Sequence, residues 1–322
     1  RHEQPLEAWR PVTLGATVTL VGLIAAGLPA ALGADAGGAG GANPAMSLSP
    51  DAVKRAEKTE TESVEDTEED TETEEAEEEA SWADTEAGTP MACGQVYHIG
   101  DSTSIGMFDP AQLPEGGKTA SDRYLEAGAS VVEPSVFGAR ATTQGWEGNG
   151  QVYPSAVTSV QELLNAGVGS DSCWVIATGV NDAANADAAR SYGYDTTGEI
   201  EANIRTMVEL LDGYRIMWPT AATGSPSNAF YANENMDEFN RALRKVAAER
   251  KDMVVYDWAS EARAHTDWFL AGDEVHYNAD GNDQRARRFA KALAAAFPKG
   301  VDTDDIPVDA EVTSDGPKKI SE

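Results

Sequence analysis

The stretch YHIGDSTSIG at residues 97–106 decides the fold, because an apolar run breaks into Gly-Asp-Ser and a second glycine follows four residues after the serine. The run predicts a strand, and the break predicts a turn into a helix. A serine in such a turn lies at the carboxyl edge of a sheet, where the backbone N–H groups of the next helix face an incoming oxyanion. Ser102 is therefore the candidate nucleophile, although a simple helix cap is the plainer interpretation of this motif alone.

A second strand end places a side-chain amide in a similar position. The stretch CWVIATGVND at residues 173–182 has the pattern of a buried strand that runs into a glycine. Asn181 follows two residues after that glycine and is a natural oxyanion donor. Taken alone, Gly-x-Asn-Asp is more often an ordinary turn.

Near the end of the chain, an acid precedes a histidine by three residues. Asp273 is suited to orient His276, and His276 is suited to take the proton from Ser102. Such an acid and histidine are more often two surface residues. The order of the three stretches and their placement at strand ends nevertheless favour a nucleophile, a base and an acid that act together.

With these stretches the sequence resembles the SGNH, or GDSL-type, hydrolase family over about residues 93–298. The matching sequence blocks are Gly100-Asp101-Ser102 with Gly106, then Gly179-Val180-Asn181-Asp182, then Asp273-Glu274-Val275-His276. The family also has a block that supplies a glycine N–H to the oxyanion hole. Gly138 fits that block best and Gly145 is the fallback, while a flexible loop glycine is an equally common interpretation of either residue.

The resemblance implies a mechanism that agrees with the chemistry of these residues. Ser102 attacks an ester carbonyl while His276 accepts its proton and Asp273 holds the imidazole tautomer. The oxyanion hole is formed by the Asn181 side chain and the N–H groups of Gly138 and Ser102. Water then hydrolyses the acyl-serine intermediate, whereas a sugar hydroxyl that arrives first gives acyl transfer. Activity is expected to fall as the pH drops through the pKa of the imidazole, about 6.5 when unperturbed.

Strand patterns alternate with helical patterns from residue 95 onward, which is typical of an α/β fold with a parallel sheet. The predicted strands are residues 95–99, 130–136, 173–178, 214–218 and 253–257. Apolar residues recur at helical spacing in two later segments, at Met236, Phe239, Leu243 and Val246 and at Phe289, Leu293 and Phe297. The resemblance implies a flavodoxin-like three-layer α/β/α sandwich with a five-stranded parallel sheet in the order 2-1-3-4-5. Ligands bind such sheets at the carboxyl ends of the strands that flank the topological switch.

The two cysteines of the chain, Cys93 and Cys173, fall at the amino ends of two of these strands. The strands are neighbours in the expected sheet, so we predict a disulfide between the cysteines, with two buried thiols as the alternative. A disulfide would be compatible with an exported protein.

The amino-terminal region changes character abruptly. Residues 1–10 form a basic stub that is expected to be cytoplasmic, and residues 11–33 carry no charge and are long enough for a transmembrane helix. A signal peptide cut near residues 34–36 is the competing interpretation. Residues 34–92 are Gly/Ala-rich and then acidic, with 17 acidic and 3 basic residues between positions 51 and 90, a net of −14 out of −31 for the chain. Such a segment predicts a disordered linker.

Several other features receive plain interpretations. Residues 299–322 are expected to be a flexible acidic tail, and the overall acidity argues against nucleic-acid binding. Arg140 is expected to be an exposed loop cation. No metal and no cofactor are predicted. A set of aromatic residues is expected to complete the core rather than to line a sugar or acyl site: Trp146, Trp218, Trp258, Trp268, Phe230 and Tyr231.

The order of stub, span, acidic linker and SGNH-like domain is similar to the carboxyl-terminal part of membrane acyltransferase-3 proteins of bacteria. The span would then be the last of several, with an acyltransferase-3 membrane domain as partner. A sequence that starts without methionine fits such a fragment and fits processing or trimming equally well. This analogy predicts an extracytoplasmic serine O-acyltransferase domain at the bacterial cell membrane, acting on polysaccharide or peptidoglycan of the cell envelope. The alternatives are a carboxylesterase or deacetylase with the same residues, and a non-catalytic tethered glycan-binding module.

Overall fold

The computed structural model describes Trp82 and residues 88–148 and 150–318. Its centre is a mostly parallel sheet with helices packed on both faces, as the alternation of strand and helix patterns predicts. Two apolar clusters, one on each face, form the core. The central strands are buried from both sides, which is why they have continuous apolar runs instead of an alternating pattern.

The strands form one large sheet and one small hairpin. They are β1 (Gln95–Gly100), β2 (Val131–Val136), β3 (Trp146–Gly148), β4 (Gln151–Tyr153), β5 (Ser172–Ala177), β6 (Arg215–Pro219), β7 (Met253–Tyr256), β8 (Glu311–Thr313) and β9 (Gly316–Pro317). The large sheet has the order β2-β1-β5-β6-β7-β8-β9, with only β9 antiparallel, and β3 pairs with β4 alone. The predicted sheet of five strands is therefore too small, since β8 and β9 extend it beyond β7.

Helices connect the parallel strands. They are α1 (Ser102–Phe108), α2 (Ala120–Glu126), α3 (Ala156–Ala166), α4 (Val180–Ser191), α5 (Glu199–Leu210), α6 (Asn233–Ala247), α7 (Trp258–Arg263) and α8 (Ala279–Ala296). The apolar residues that predicted a helix before β7 lie on the buried face of α6. Those near the end of the chain lie on α8, with Phe297 as its carboxyl cap.

The prediction of a flexible tail over residues 299–322 is corrected for residues 299–318, the part of this segment that the structure describes. β8 pairs with β7 through Val255 and Tyr256, and Val312 is fully buried. The Lys318 ammonium contacts the Asp257 carboxylate at 2.5 Å and so fastens the end of the hairpin to the sheet. The sequence did not indicate this arrangement, because strands of two and three residues show no periodicity and gain their stability from a distant partner.

A disulfide joins Cys93 to Cys173, as predicted, with their Cα atoms 5.5 Å apart. It lies at the amino ends of β1 and β5, which are neighbours in the sheet with Val96 opposite Cys173. Residues before Cys93 also pack against the domain, because Met91 is buried and pairs with Pro298. The disulfide therefore fixes the two strands whose opposite ends carry the candidate site.

The other amino-terminal predictions concern residues that the structure does not describe. The basic stub at residues 1–10, the span at residues 11–33 and most of the linker at residues 34–92 lie outside the described residues. In the part of the chain that is described, no helix has both the length and the apolar character needed to cross a bilayer.

Candidate active site

Ser102 is the first residue of α1, directly after the turn that ends β1. Asp101 caps this helix, with its Oδ1 accepting from the Thr103 N–H at 2.8 Å and from the Thr103 hydroxyl at 2.7 Å. Gly100 permits the turn, because a Cβ at this position would lie 2.5 Å from the Ser104 Oγ. The sequence Gly-Asp-Ser therefore forms a tight strand-to-helix turn that places the Ser102 hydroxyl at the carboxyl edge of the sheet.

The structure brings together the three residues that the sequence nominated as nucleophile, base and acid. The Ser102 Oγ lies 2.8 Å from Nε2 of His276, and Nδ1 of the same ring lies 2.5 Å from Oδ2 of Asp273. The Asp273 carboxylate also accepts the backbone N–H of His276 at 3.2 Å. The His276 side chain is 38% exposed, so the hydrogen-bonded chain of three residues is open to an incoming molecule.

Electrostatics at this triad favour a charged imidazole. Burial alone would lower the pKa of His276, but the hydrogen bond and charge of Asp273 outweigh it and raise that pKa above its usual value. Burial likewise acts to raise the pKa of Asp273, and its contacts with His276 bring that pKa below the usual value. The carboxylate is thus placed to stabilise the imidazolium that forms when the base takes up a proton.

A strained turn fixes the position of the acid relative to the base. Glu274, between them, adopts a φ of +58°, a left-handed conformation that costs a non-glycine residue free energy. Its carbonyl accepts the Gly224 N–H at 2.7 Å, and the His276 carbonyl accepts the Leu270 N–H at 2.8 Å. These bonds attach the loop of Asp273 and His276 to its neighbours on both sides, so the strain persists in the folded chain.

Asn181 lies at the carboxyl end of β5, on the first turn of α4. Gly179 makes this turn possible, since its φ is +137° and a Cβ there would lie 2.4 Å from the Phe239 ring. The Asn181 Nδ2 donates to the Arg140 carbonyl at 2.9 Å, and its Oδ1 accepts from the Tyr231 hydroxyl at 3.2 Å. Because Nδ2 carries two hydrogens, the second one is left to donate to a substrate oxygen.

Gly138 lies beside the nucleophile strand. It follows β2, and the preceding Phe137 N–H donates to the Gly100 carbonyl at 3.2 Å. A Cβ on Gly138 would meet only Tyr153, at 3.9 Å, whereas one on Gly145 would lie 2.4 Å from the Tyr153 carbonyl. Gly145 is therefore required by the packing of the β3–β4 hairpin, and Gly138 is the better candidate for an oxyanion donor.

Arg140 corrects the prediction of an exposed loop cation, because its side chain is fully buried. Its guanidinium donates to the carbonyls of Pro154 at 3.0 Å and Ser135 at 2.8 Å, and to the Ser159 hydroxyl at 2.6 Å. Burial lowers the pKa of Arg140 to about 10. The residue fastens the loop of Gly138 to its surroundings, and no periodicity in this loop signalled its burial.

Asp182 follows Asn181 and is also buried. Both of its carboxylate oxygens lie 3.1 Å from the Thr142 N–H, and burial raises the pKa of Asp182 to about 7. This contact links the start of α4 to the loop that carries Gly138. Among the described residues, no group of three His, Cys, Asp or Glu side chains is placed to hold a metal ion.

Arg285 stabilises the turn that carries Ser102. This role was not predicted from the sequence. Its Nη1 donates to the Thr103 carbonyl at 2.9 Å and to the Thr103 hydroxyl at 2.8 Å. The guanidinium also stacks over the rings of Tyr277 and Phe289, 5.0 and 4.6 Å from their centroids. A single arginine within the helical pattern of α8 carries no signal that it reaches the first turn of α1.

A second serine and histidine lie close by, inside the core. The Ser104 Oγ is 3.3 Å from Nε2 of His98, and Nδ1 of His98 is 3.0 Å from the Tyr124 hydroxyl. Both ring nitrogens are thus used within the protein. Burial, together with the charge of Arg285, lowers the pKa of His98 well below its usual value, so this ring is neutral.

The family model described as GDSL-like Lipase/Acylhydrolase matches residues 98–284. This range is more than half of the chain and includes Ser102, Asn181, Asp273 and His276. The chain belongs to the GDSL-like lipase/acylhydrolase family. It is accordingly a serine ester hydrolase or acyltransferase.

The chain is also similar, at low sequence identity, to several solved structures. The carboxyl-terminal catalytic domain of Streptococcus pneumoniae peptidoglycan O-acetyltransferase A, with a methylsulfonyl adduct, is 17% identical with a TM-score of 0.41, covering 61% of this chain and 88% of its own. Est24, a carbohydrate acetylesterase from Sinorhizobium meliloti, is 17% identical with a TM-score of 0.43, covering 63% and 99%. The lipase Lip_vut3 from a goat rumen metagenome is 15% identical with a TM-score of 0.46, covering 64% and 99%. No curated protein sequence matches the chain.

Proposed function

We propose that Ser102 is the nucleophile of an acyl-transfer reaction, with His276 as general base and Asp273 as the residue that orients it. The observation that carries this proposal is the continuous chain from the Ser102 Oγ to the Asp273 carboxylate, with distances of 2.8 and 2.5 Å. The Ser102 oxygen bonds to the carbonyl carbon of an acyl ester as its proton moves to Nε2 of His276. The ester bond then breaks, and the departing alcohol takes that proton from the imidazolium.

The oxyanion formed in this step is stabilised by three N–H donors. The Asn181 side chain supplies one from Nδ2, and the backbones of Ser102 and Gly138 supply the others. Two other N–H groups of the nucleophile turn already have acceptors, because Thr103 N–H donates to the Asp101 side chain and Ser104 N–H donates to the Asp101 carbonyl. Removal of one oxyanion donor typically costs about 2.7 to 4 kcal/mol of barrier, so Asn181→Ala is expected to slow turnover by about a hundredfold or more.

The acceptor in this proposal is a hydroxyl group of cell-envelope carbohydrate, and the location is outside the bacterial cytoplasm at the cell membrane. The disulfide between Cys93 and Cys173 supports this location, because such bonds persist in oxidising compartments. The uncharged run at residues 11–33 is the proposed anchor. Hydrolysis is the second candidate function, because a His276 side chain that is 38% exposed admits water as readily as a sugar hydroxyl.

The test distinguishes acyl transfer, ester hydrolysis and non-catalytic glycan binding. The full chain is incubated with p-nitrophenyl acetate, with and without a glycan acceptor, then acid-quenched for mass spectrometry of the Ser102 peptide and of the products. An acetylated Ser102 with an acceptor-dependent sugar ester supports transfer, and the same acyl-enzyme with acetate as the only product supports an esterase. Absence of any acyl-enzyme, with Ser102→Ala behaving like the wild type, contradicts the proposal and favours a glycan-binding module.

A further inference from the structure

We propose that Tyr231 is a positioning residue for acyl transfer, which sets the orientation of the Asn181 amide so that its free N–H faces the oxyanion. This inference rests on the proposed function, since it concerns the same oxyanion hole. Tyr231 lies in the short 3₁₀ turn Ala229–Tyr231 between β6 and α6, away from the sequence blocks that define the family. It was expected only to complete the core.

The amide of Asn181 needs such a device. Its terminal torsion is soft and nearly two-fold, so a flip that exchanges oxygen and nitrogen is cheap unless neighbours oppose it. The Arg140 carbonyl, 2.9 Å away, is an acceptor only and therefore requires nitrogen on its side. The Tyr231 hydroxyl, 3.2 Å from Oδ1, must then be the donor of its hydrogen bond, because the amide oxygen is also an acceptor only.

These two contacts oppose a flip from both ends of the amide. In the flipped state the Asn181 oxygen would face the Arg140 carbonyl, two acceptors without a hydrogen between them, and the Tyr231 hydroxyl would lose its acceptor. A hydroxyl that donates to the amide oxygen also polarises the amide and makes the opposite N–H a stronger donor. Tyr231 therefore acts on the oxyanion through Asn181, without touching the substrate.

The surroundings hold Tyr231 in place. Its carbonyl accepts from the Thr223 hydroxyl at 2.9 Å. Gly224, which follows Thr223 in the chain, donates its N–H to the Glu274 carbonyl in the loop of the acid and base. The segment of Thr223 and Gly224 thus connects Tyr231 to the loop that carries His276. Burial, with the charges of Asp101 and Asp273, raises the pKa of Tyr231 to about 12, so its hydroxyl keeps its proton over the range in which His276 acts.

The test is a double-mutant cycle between Tyr231 and Asn181, in the full chain with p-nitrophenyl acetate as substrate. Tyr231→Phe removes only the hydroxyl. We expect kcat to fall about fivefold to thirtyfold, which corresponds to the loss of one hydrogen bond. KM is expected to change by less than about twofold. In the Asn181→Ala background the same substitution is expected to change kcat by less than about twofold, because its partner is already gone.

Tyr97→Phe is the matched control. It also removes one partly buried hydroxyl bond of similar length, from Tyr97 to the Gln95 side chain at 3.1 Å, but at the amino end of β1. It is expected to leave kcat unchanged. A loss of kcat from Tyr231→Phe that is equal in both backgrounds would overturn the inference, and so would a rise in KM with kcat unchanged.

Failure of this inference is distinct from failure of the proposed function. If Asn181→Ala slows turnover and Tyr231→Phe does not, the oxyanion assignment stands and only the positioning role of Tyr231 is wrong. If Asn181→Ala keeps the wild-type rate, the oxyanion assignment itself fails. If Ser102→Ala retains activity, the proposed nucleophile fails, whatever the other variants do.

Discussion

Two serine–histidine pairs share one short helix, because Ser102 and Ser104 both belong to α1 and each contacts a histidine. The two pairs differ in nearly everything except this contact between serine and histidine. Ser102 contacts His276 at 2.8 Å, and Ser104, two residues further along α1, contacts His98 at 3.3 Å. The second nitrogen of His276 meets a carboxylate, whereas that of His98 meets the hydroxyl of Tyr124. The first ring is partly exposed, and the second is fully buried.

The comparison shows what a serine and a histidine need in order to become a nucleophile and its base. A carboxylate raises the pKa of His276 and stabilises the imidazolium, while burial and the charge of Arg285 lower the pKa of His98. Only the first pair also has a route for substrate. The local contact is common to both, so charge and access make the difference.

The largest expected difference between the two pairs is in the serines. Ser102→Ala removes the nucleophile and is expected to lower kcat by at least about 10⁴-fold, a loss typical of serine-triad enzymes. Ser104→Ala removes one buried hydrogen bond and is expected to change kcat by less than about threefold, with a loss of about 1 to 3 kcal/mol in the free energy of unfolding. Initial rates on p-nitrophenyl acetate and thermal unfolding measure both effects. An inactive but folded Ser104→Ala protein would erase the distinction between the pairs.

The next difference lies in the groups behind the histidines. Asp273→Asn leaves an amide where the imidazolium needs a charge, and kcat is expected to fall by about 10² to 10⁴-fold with the fold intact. Tyr124→Phe removes the corresponding group behind His98 and is expected to leave kcat within about twofold while lowering stability by about 1 kcal/mol. Steady-state kinetics and denaturant unfolding are the measurements. Equal losses of kcat in both variants would show that the buried pair takes part in the reaction.

The smallest effect is the titration of the two rings. Since a general base acts only when neutral, and since Asp273 raises the pKa of His276, the acidic fall of kcat/KM is expected above about 6.5, the value for a free imidazole. His98 is expected to stay neutral throughout that range, because its pKa is lowered. A pH–rate profile and NMR titration of the imidazole protons check both statements.

The Asp273→Asn variant sharpens the same point. Without the carboxylate, burial is the dominant influence on His276, so the residual activity is expected to fall at a lower pH than in the wild type. An acidic limb below about 6.5 in the wild type, or one that does not move in this variant, contradicts the electrostatic account.

The positions of Ser102 and Asn181 were accessible from the sequence because of one geometric rule, whereas Asp273 and His276 were identified by their spacing and by the resemblance to the family. Parallel strands of a doubly wound sheet direct their carboxyl ends to the same edge, so polar residues that follow apolar runs meet there. The disulfide followed from the same rule applied to the amino ends. The expected core positions of Trp218, Trp258 and Trp268 are confirmed, since all three are buried.

The supporting contacts were not accessible, because each depends on residues that are far apart in the sequence. Tyr231 is 50 residues from Asn181, and Arg285 is 182 residues from Thr103. Neither residue stands in a pattern that differs from that of a core aromatic or of a surface cation. The strands β8 and β9 were not predicted for a similar reason. Their segment has the acidic composition of a tail, and its strand structure depends on pairing with the distant β7.

Among the residues that the structure describes, β2 and β9 are the outermost strands of the large sheet, and each contains a proline, Pro134 in β2 and Pro317 in β9. A proline has no N–H to offer to an added strand, and such residues interrupt the row of backbone groups at an open border. Strand addition from a second copy is therefore disfavoured at both borders. Contacts between copies of this chain are therefore expected on the helical faces instead.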